Sequence, residues 1–397
     1  MTDIHNRLGL KSISANYVQL YINDEYMGLY ILTDSYKLKW AEKVYGEVNS
    51  RNLYKCVSMY DLGPRYAEDC ENENEEVTDN PEWIEFLTTV ENAKSADDLE
   101  NIFEIDHFLY EMAIEYLVGG WDHIYSSHNF FLYKQPNGKW IYLSHDNDLD
   151  IGTLGVGTDE LPYEDFLKKI HIMKILILDD PLRFEKILAD VIERVFNPAT
   201  LYPRIDELKK FLRPFVELDK TPNASGKLPG AINERGKISF SLEQWDAYSE
   251  FTPSLSDRYM YGLKQWILLK YRYVCQRYAM ECEAVYLDDD YEYTIVESLA
   301  PSPSDLKQQN IVIGEGSICK EFPREPTFET ITEEEEMTMP TESIDEEEEG
   351  GEEIITLPAE EDSSSDEELD FDEEEEITAR FTITKTKFIT SPTPIFN

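Results

Sequence analysis

Basic residues are scarce in this chain: 36 Lys and Arg stand against 82 Asp and Glu in 397 residues, for a formal charge of -46. A nucleic-acid binder is excluded on that ground, because neutralising phosphates needs a basic footprint. No apolar run approaches the roughly 18–20 residues of a bilayer span, so no transmembrane segment is expected. No C-x-x-C pair occurs among the five cysteines, which leaves a zinc ribbon or thioredoxin-type site unsupported. The first residues, Met1 to Arg7, contain no apolar stretch of the kind a signal peptide needs. There is no internal repeat. What is present is enough apolar (41%) and aromatic (12%) side chain to build a core.

The negative charge is concentrated. From Glu329 to Glu376, 25 of 48 residues are Asp or Glu and none is Lys or Arg, which is more than half of the net charge. Like charges at that density repel and cannot bury enough apolar surface to offset chain entropy. Residues 329–397 therefore read as a disordered acidic low-complexity tail, a spacer or solubilising segment. Ser363, Ser364 and Ser365 precede Asp366-Glu367-Glu368 and suit an acid-directed kinase. From Arg380 to Asn397 an alternation of Phe, Ile and Thr returns, compatible with a short strand or with a loose end. Cys56 and Cys70 flank a polar loop and can be bridged in an oxidising compartment; five free thiols, with Cys275, Cys282 and Cys319, fit the spacing equally well. One sequon, Asn223-Ala224-Ser225, is weak evidence for secretion.

Upstream of the tail, the pattern predicts an α+β fold, with hairpins early and helices late. Tyr17 to Asp34 alternates apolar and polar residues on both sides of Asn23-Asp24-Glu25, a hairpin. A helical stretch follows over Ser35–Tyr45. Asp106 is predicted to cap a helix ending at Val118 before Gly119-Gly120. A second hairpin is written in Phe130–Lys134 and Lys139–Ser144. Asp180-Pro181 opens a helix, Pro203 another through about Leu218, and one long aromatic-rich helix is predicted from Asp257 to about Tyr286. Its tyrosines and tryptophan, Tyr259 to Tyr278, read as packing residues, as do Trp121 and Trp140. Residues 1–290 form the domain, 291–328 a linker.

Chemistry concentrates between Gly119 and Gly152. Asp122 follows a helix end, Asn129 stands at the mouth of the second hairpin, and Asp146, Asp148 and Asp150 follow its return strand. The hairpin should make Asn129 and Asp146 spatial neighbours. Several oxygen ligands at one sheet end suit a hard cation such as Mg²⁺ or Mn²⁺. Three other readings use the same residues. An EF-hand loop fails at two positions, since Gly152 is seventh and Gly157 twelfth. His123, His128 and His145 would supply a mixed His/Asp metallohydrolase site. Finally, the three acids would simply cap a loop, although alternating acids repel one another unless donors or a cation compensate.

These segments resemble the CotH kinase family of spore-coat and fungal cell-surface proteins, in its fungal type. YVQLYINDEYMGLYILTD (17–34) resembles its hairpin with G-x-Y-x-L-x-[ED], and WDHIYSSHN (121–129) its W/D…N segment. KWIYLSHDNDLDIG (139–152) resembles its W…D-x-D-x-x-x-G, and Tyr261 to Ile267 the G-L-K-x-[FW]-I start of its terminal helix. The resemblance runs from about residue 1 to 286. It implies an atypical protein-kinase-like fold and phosphate transfer from ATP, with Mg²⁺ or Mn²⁺, to Ser or Thr of a coat or surface protein, at the cell or spore surface. Asp122 would orient or accept the substrate proton, Asn129 and Asp146 would hold metal ions, and Asp148 would be a further ligand; Asp150 sits where the family pattern varies. The family also carries upstream strands, one with a basic residue facing the nucleotide phosphates, and no Gly-rich loop or such strand precedes Tyr17 here. An incomplete front lobe implies weak or absent ATP turnover. The alternative is a non-catalytic adhesion protein on the same scaffold, as some fungal relatives are regarded as host-receptor ligands.

Overall fold

The computed structural model describes residues 1–153, 159–231, 240–252 and 261–295, together with two strands at 352–356 and 378–389. Gly157, Asp257, Tyr259, Cys319, Ser363–Ser365 and most of the linker lie outside the described residues. A short helix α1 (Thr2–Leu8) leads into a hairpin of β1 (Ala15–Ile22) and β2 (Glu25–Thr33). The turn is the one predicted: Asn23 and Asp24 both have left-handed backbone, which matches the twist of the two strands. Helix α2 (Leu38–Tyr45) and strands β3 (Leu53–Cys56) and β4 (Cys70–Asn72) follow, then helices α3 (Pro81–Asn92) and α4 (Ile105–Val118). The second hairpin is β5 (Phe130–Lys134) and β6 (Trp140–Ser144), in register from Phe130↔Ser144 to Lys134↔Trp140. The rest is helical, as predicted: α5 (Tyr163–Phe166), α6 (His171–Met173) running into a wider turn over Lys174–Leu178, α7 (Leu182–Arg194), α8 (Pro198–Asp219), α9 (Leu242–Tyr248), α10 (Leu263–Arg277) and α11 (Ala284–Leu287).

Two antiparallel sheets organise the chain. One has strand order β4-β3-β5-β6 and is covered on both faces. Tyr54, Cys56, Phe130, Leu132 and Tyr142 point into the main core; Leu53, Phe131, Tyr133, Ile141 and Leu143 pack under Tyr36, Trp40 and Ala41. Burial on both faces is why these strands read as nearly continuous apolar runs. Helix α4 crosses the first face and is buried nearly all round, with Phe108, Leu109, Met112, Tyr116 and Leu117 in the core. The second sheet has order β2-β1-β8-β7, where β7 (Glu352–Thr356) and β8 (Thr378–Ile389) come from the acidic tail. Strand β8 pairs antiparallel with β1 from Tyr17↔Ile389 to Ile22↔Ile383, and Ile389 is buried. Of the two readings of the terminal alternation, the strand is the one found.

Three boundaries differ from the sequence expectation. Helix α4 starts at Ile105, not after Asp106, because the Glu104 amide is bonded to the Trp140 carbonyl at 2.8 Å and fixes the chain two residues earlier. Asp106 lies in the first turn and accepts from Arg183 Nε at 2.7 Å. Helix α8 starts five residues before Pro203, since the Asn197 side chain caps the Thr200 amide at 2.8 Å. The long terminal helix breaks after Arg277. Cys275 and Cys282 form a disulfide with Cα atoms 6.1 Å apart, whereas seven helical residues would place them about 10 Å apart. Cys56 and Cys70 are also bridged, tying β3 to β4, so four of the five cysteines are oxidised.

Candidate functional site

The site grows from the end of α4. Gly119 closes the helix in the left-handed region, and residues 121–129 then coil back on themselves. Ser126 Oγ donates to the Trp121 carbonyl at 2.7 Å, and the His128 amide to the His123 carbonyl at 3.2 Å. Ser127 and Asn129 carry positive φ of 74° and 56°, an unfavourable backbone state for both that a ring of surrounding contacts holds in place. The coil brings Asp122 onto Asn129, whose Nδ2 donates to Asp122 Oδ2 at 3.2 Å. On its other oxygen, Asp122 pairs with His128 Nε2 at 2.9 Å. The carboxylate is thus fixed from both sides while staying partly exposed.

The β5–β6 hairpin joins this coil to the acid run. The His145 amide donates to the Asn129 carbonyl at 3.1 Å, one residue before Asp146. Asp146 has a left-handed backbone with φ 62°, and Asn147–Leu149 make one tight turn. The turn leaves Asp146 and Asp148 exposed to solvent and carries Asp150 inward. Asp150 is only 5% exposed, and neither carboxylate oxygen meets a hydrogen-bonding partner among the described residues. Burial raises its pKa, while the nearby His123 and Asn147 side chains work against that rise. Among the described residues no three His, Cys, Asp or Glu side chains converge on a metal-sized point. The donor chemistry still fits a hard cation: the Asn129 amide oxygen and the exposed Asp146 and Asp148 carboxylates are oxygen ligands at one sheet end.

The three histidines have separate surroundings. His123 is buried, with Nε2 2.9 Å from the His145 carbonyl and 3.1 Å from Asn147 Nδ2. His128 holds Asp122. His145 packs its ring on Phe131 at 5.1 Å, and its pKa is pushed down to about 4 by burial, then by the charges of Lys55, His123 and His128.

Beneath the site, α4 presents two buried acids to β6. Glu111 accepts from Ser144 Oγ at 2.7 Å and faces His5 at 3.1 Å and His107 at 3.5 Å. Burial works against its charge, yet these partners hold its pKa below the ordinary glutamate range. Glu115 accepts from the Tyr142 hydroxyl at 2.8 Å; burial, reinforced by Glu111 and Asp150, keeps its pKa well above the ordinary value. The acid run is anchored at Gly152, where φ is 78° and a Cβ would come within 2.8 Å of the Trp266 ring. Trp266 in turn donates to the Leu117 carbonyl at 2.9 Å, so the Gly and Trp of the two sequence motifs meet at the end of α4.

Spacing did not single out two lysines in this region. Lys168, just after α5, donates to Ser127 Oγ at 2.6 Å and lies 4.1 Å over the Tyr60 ring. Lys55 on β3 sits opposite Phe131 of β5, on the sheet face that carries His145. His128 was legible only as one of three histidines; its pairing with Asp122 needs the coil.

A family model described as CotH kinase protein matches residues 1–227. Among curated proteins, the chain is 32% identical over 155 residues to Invasin CotH3 of Rhizopus delemar, covering 35% of this chain and 25% of that protein. It is 26% identical over 246 residues to Invasin CotH7 of the same organism, covering 55% of this chain and 40% of that one. Spore coat protein homolog 1, also from Rhizopus delemar, is 23% identical over 255 residues, covering 55% of this chain and 40% of that protein. The chain thus spans between a quarter and two fifths of the length of these relatives.

Proposed function

The chain belongs to the CotH kinase family, and on that premise we propose that it transfers a phosphoryl group from ATP to Ser or Thr hydroxyls of coat or cell-surface proteins. The observation that carries this reading is Asp122, held on one oxygen by His128 and on the other by Asn129, beside the hairpin end that bears Asp146 and Asp148. Phosphoryl transfer asks the protein chiefly for positioning and charge neutralisation. Asp122 keeps lone pairs free to accept a hydrogen bond from the incoming hydroxyl, and its two tethers fix the direction of that bond. Asn129, Asp146 and Asp148 would hold Mg²⁺ or Mn²⁺, which supplies neutralisation of phosphate charge when bound. The bond from His145 to Asn129 couples the two halves of the site, so hydroxyl and metal ligands keep one spacing.

Surface placement follows from the same premise. Relatives bear the names invasin and spore coat protein homolog. Two disulfides suit an oxidising compartment. Those names, with the exposed Tyr30, Ile31 and Leu32 on edge strand β2, also favour a second reading, adhesion through the scaffold without catalysis. Titration calorimetry with Mn·ATP on the unaltered protein and on Asp146→Ala separates the two. Binding that needs both metal and Asp146 supports the kinase reading. No nucleotide binding by either protein overturns it in favour of adhesion.

A further inference from the structure

The Asn223-Ala224-Ser225 sequon has a place in the fold that spacing could not give it. The chain leaves α8 at Asp219, and residues 221–227 are all exposed. They close into a turn: the Gly226 amide donates to the Asn223 carbonyl at 2.9 Å, and the Asn223 amide to the Lys227 carbonyl at 2.8 Å. Inside that turn the Asn223 side chain is held by one atom only. Its Oδ1 accepts from the Ser225 amide at 2.9 Å, the Ser225 hydroxyl at 2.7 Å and the Lys227 amide at 3.1 Å. Among the described residues nothing engages Nδ2, the atom to which a sugar is attached in an N-linked glycan. No buried group has to move to admit one.

The loop that carries this turn is pinned to β2 at both ends. Asp219 Oδ1 accepts from the Leu29 amide at 3.0 Å. At the far end, a Cβ on Gly230 would run into the Met27 carbonyl oxygen and stand 3.1 Å from the Tyr30 hydroxyl. Leu29 lies opposite Gln19 of β1 yet gives its amide to the loop, so the loop runs along the outer edge of β2. That edge matters because β2 is the terminal strand of its sheet. Beyond Leu29 it continues as Tyr30, Ile31 and Leu32, all exposed, with neither charge nor proline to deter a second strand. Asn223 stands four residues from the Asp219 contact, at most about 14 Å of extended chain.

We propose that Asn223 carries an N-linked glycan that covers the exposed end of β2 against pairing with another chain. The proposal rests on the surface placement argued above and is independent of catalysis. Nδ2 of Asn223 forms a bond to the anomeric carbon of a lipid-pyrophosphate-linked oligosaccharide, while the bond from that carbon to the pyrophosphate oxygen breaks. The amide nitrogen gives up one proton, and the lipid pyrophosphate leaves with the electron pair. The product is a bulky, hydrophilic group beside an apolar edge.

The full chain is secreted from a eukaryotic host behind a cleavable leader, unaltered and as Ser225→Ala, Ser225→Thr and Ser225→Ala/Ile31→Lys. Peptide mass spectrometry with and without glycosidase reads Asn223, alkylation without reductant reads the thiols, and sedimentation reads association. The unaltered and Ser225→Thr proteins should be glycosylated and monomeric. Ser225→Ala should lose the glycan and shift to dimers or larger species, and Ile31→Lys should return it to monomer by placing a charge on the edge. An unmodified Asn223 in a secreted chain with both disulfides formed overturns the site and leaves surface placement standing. Free thiols at Cys56, Cys70, Cys275 and Cys282 overturn the oxidising-compartment reading and the proposal with it. A monomeric Ser225→Ala protein, or association that Ile31→Lys fails to reverse, overturns the covering role.

Discussion

Lys270 on α10 is fully buried, and its replacement by methionine should stabilise the fold. The ammonium lies 3.7 Å over the Tyr116 ring of α4 and 5.9 Å from the Tyr273 ring, with the Leu161 carbonyl at 3.5 Å. Burial pushes its pKa down from 10.5 to about 7, and Asp159 only partly offsets this. In the unfolded chain the lysine keeps a pKa near its ordinary value, so between about pH 7 and 10.5 the unfolded state holds a proton the folded state has released. Unfolding free energy therefore rises with pH across that window, and the penalty is fully present below pH 7. At roughly 1.4 kcal/mol for each pH unit of displacement, the penalty near neutrality has an upper bound of about 4–5 kcal/mol. Loss of the cation–π contact returns about 1–2 kcal/mol of that. Lys270→Met should thus gain at most about 2–4 kcal/mol at pH 7, in line with other replacements of buried charge by apolar side chains of similar volume. The assay is urea unfolding of both proteins at pH 7, 8, 9 and 10, reading the difference between them. That difference should shrink steadily as pH rises. A Met variant less stable at pH 7, or a difference independent of pH, would refute the reasoning and show that the ammonium is fully compensated where it lies.

Other outcomes follow from the same contacts. Gly152→Ala should cost about 2 kcal/mol or more, since a Cβ there meets the Trp266 ring and the backbone is left-handed; calorimetric melting checks this, and an unchanged melting temperature would contradict it. Replacing both Cys56 and Cys70 by Ala should lower stability by about 3 kcal/mol, the value expected for a loop closed over 14 residues, measured by denaturant unfolding in the absence of reductant. Glu115→Gln mimics the protonated acid. Because the folded pKa is raised, the natural carboxyl loses stability as pH climbs above about 4.5, and the Gln variant should gain on it through the same range. A pH-independent difference between those two proteins would show that Glu115 is charged in the fold.

Local chemistry was legible where a few adjacent residues decide it. Asn23-Asp24 set the first turn, the pattern in Phe130–Ser144 set the second hairpin, and Gly119 ended α4, because turns and helix ends depend on backbone preferences within a span of four or five residues. The pairing of Asn129 with the neighbourhood of Asp146 followed from hairpin geometry alone. Helix boundaries were less legible wherever a distant partner intervened. The Trp140 carbonyl moved the start of α4, and the Cys275–Cys282 bridge cut the terminal helix short.

Composition, turn chemistry and motif spacing were enough for an acidic α+β domain that resembles the CotH kinase family, for the two hairpins, and for a run of Asp and Asn at one sheet end. Only tertiary structure decided which acids look outward, that His128 and Asn129 clasp Asp122 between them, that Lys168 reaches the coil at Ser127, and that a strand from the acidic tail lies beside β1. The physical reason is range. Periodicity and turn preference act between neighbours in the chain, whereas burial, charge partnering and strand pairing depend on groups that meet only after the core has closed.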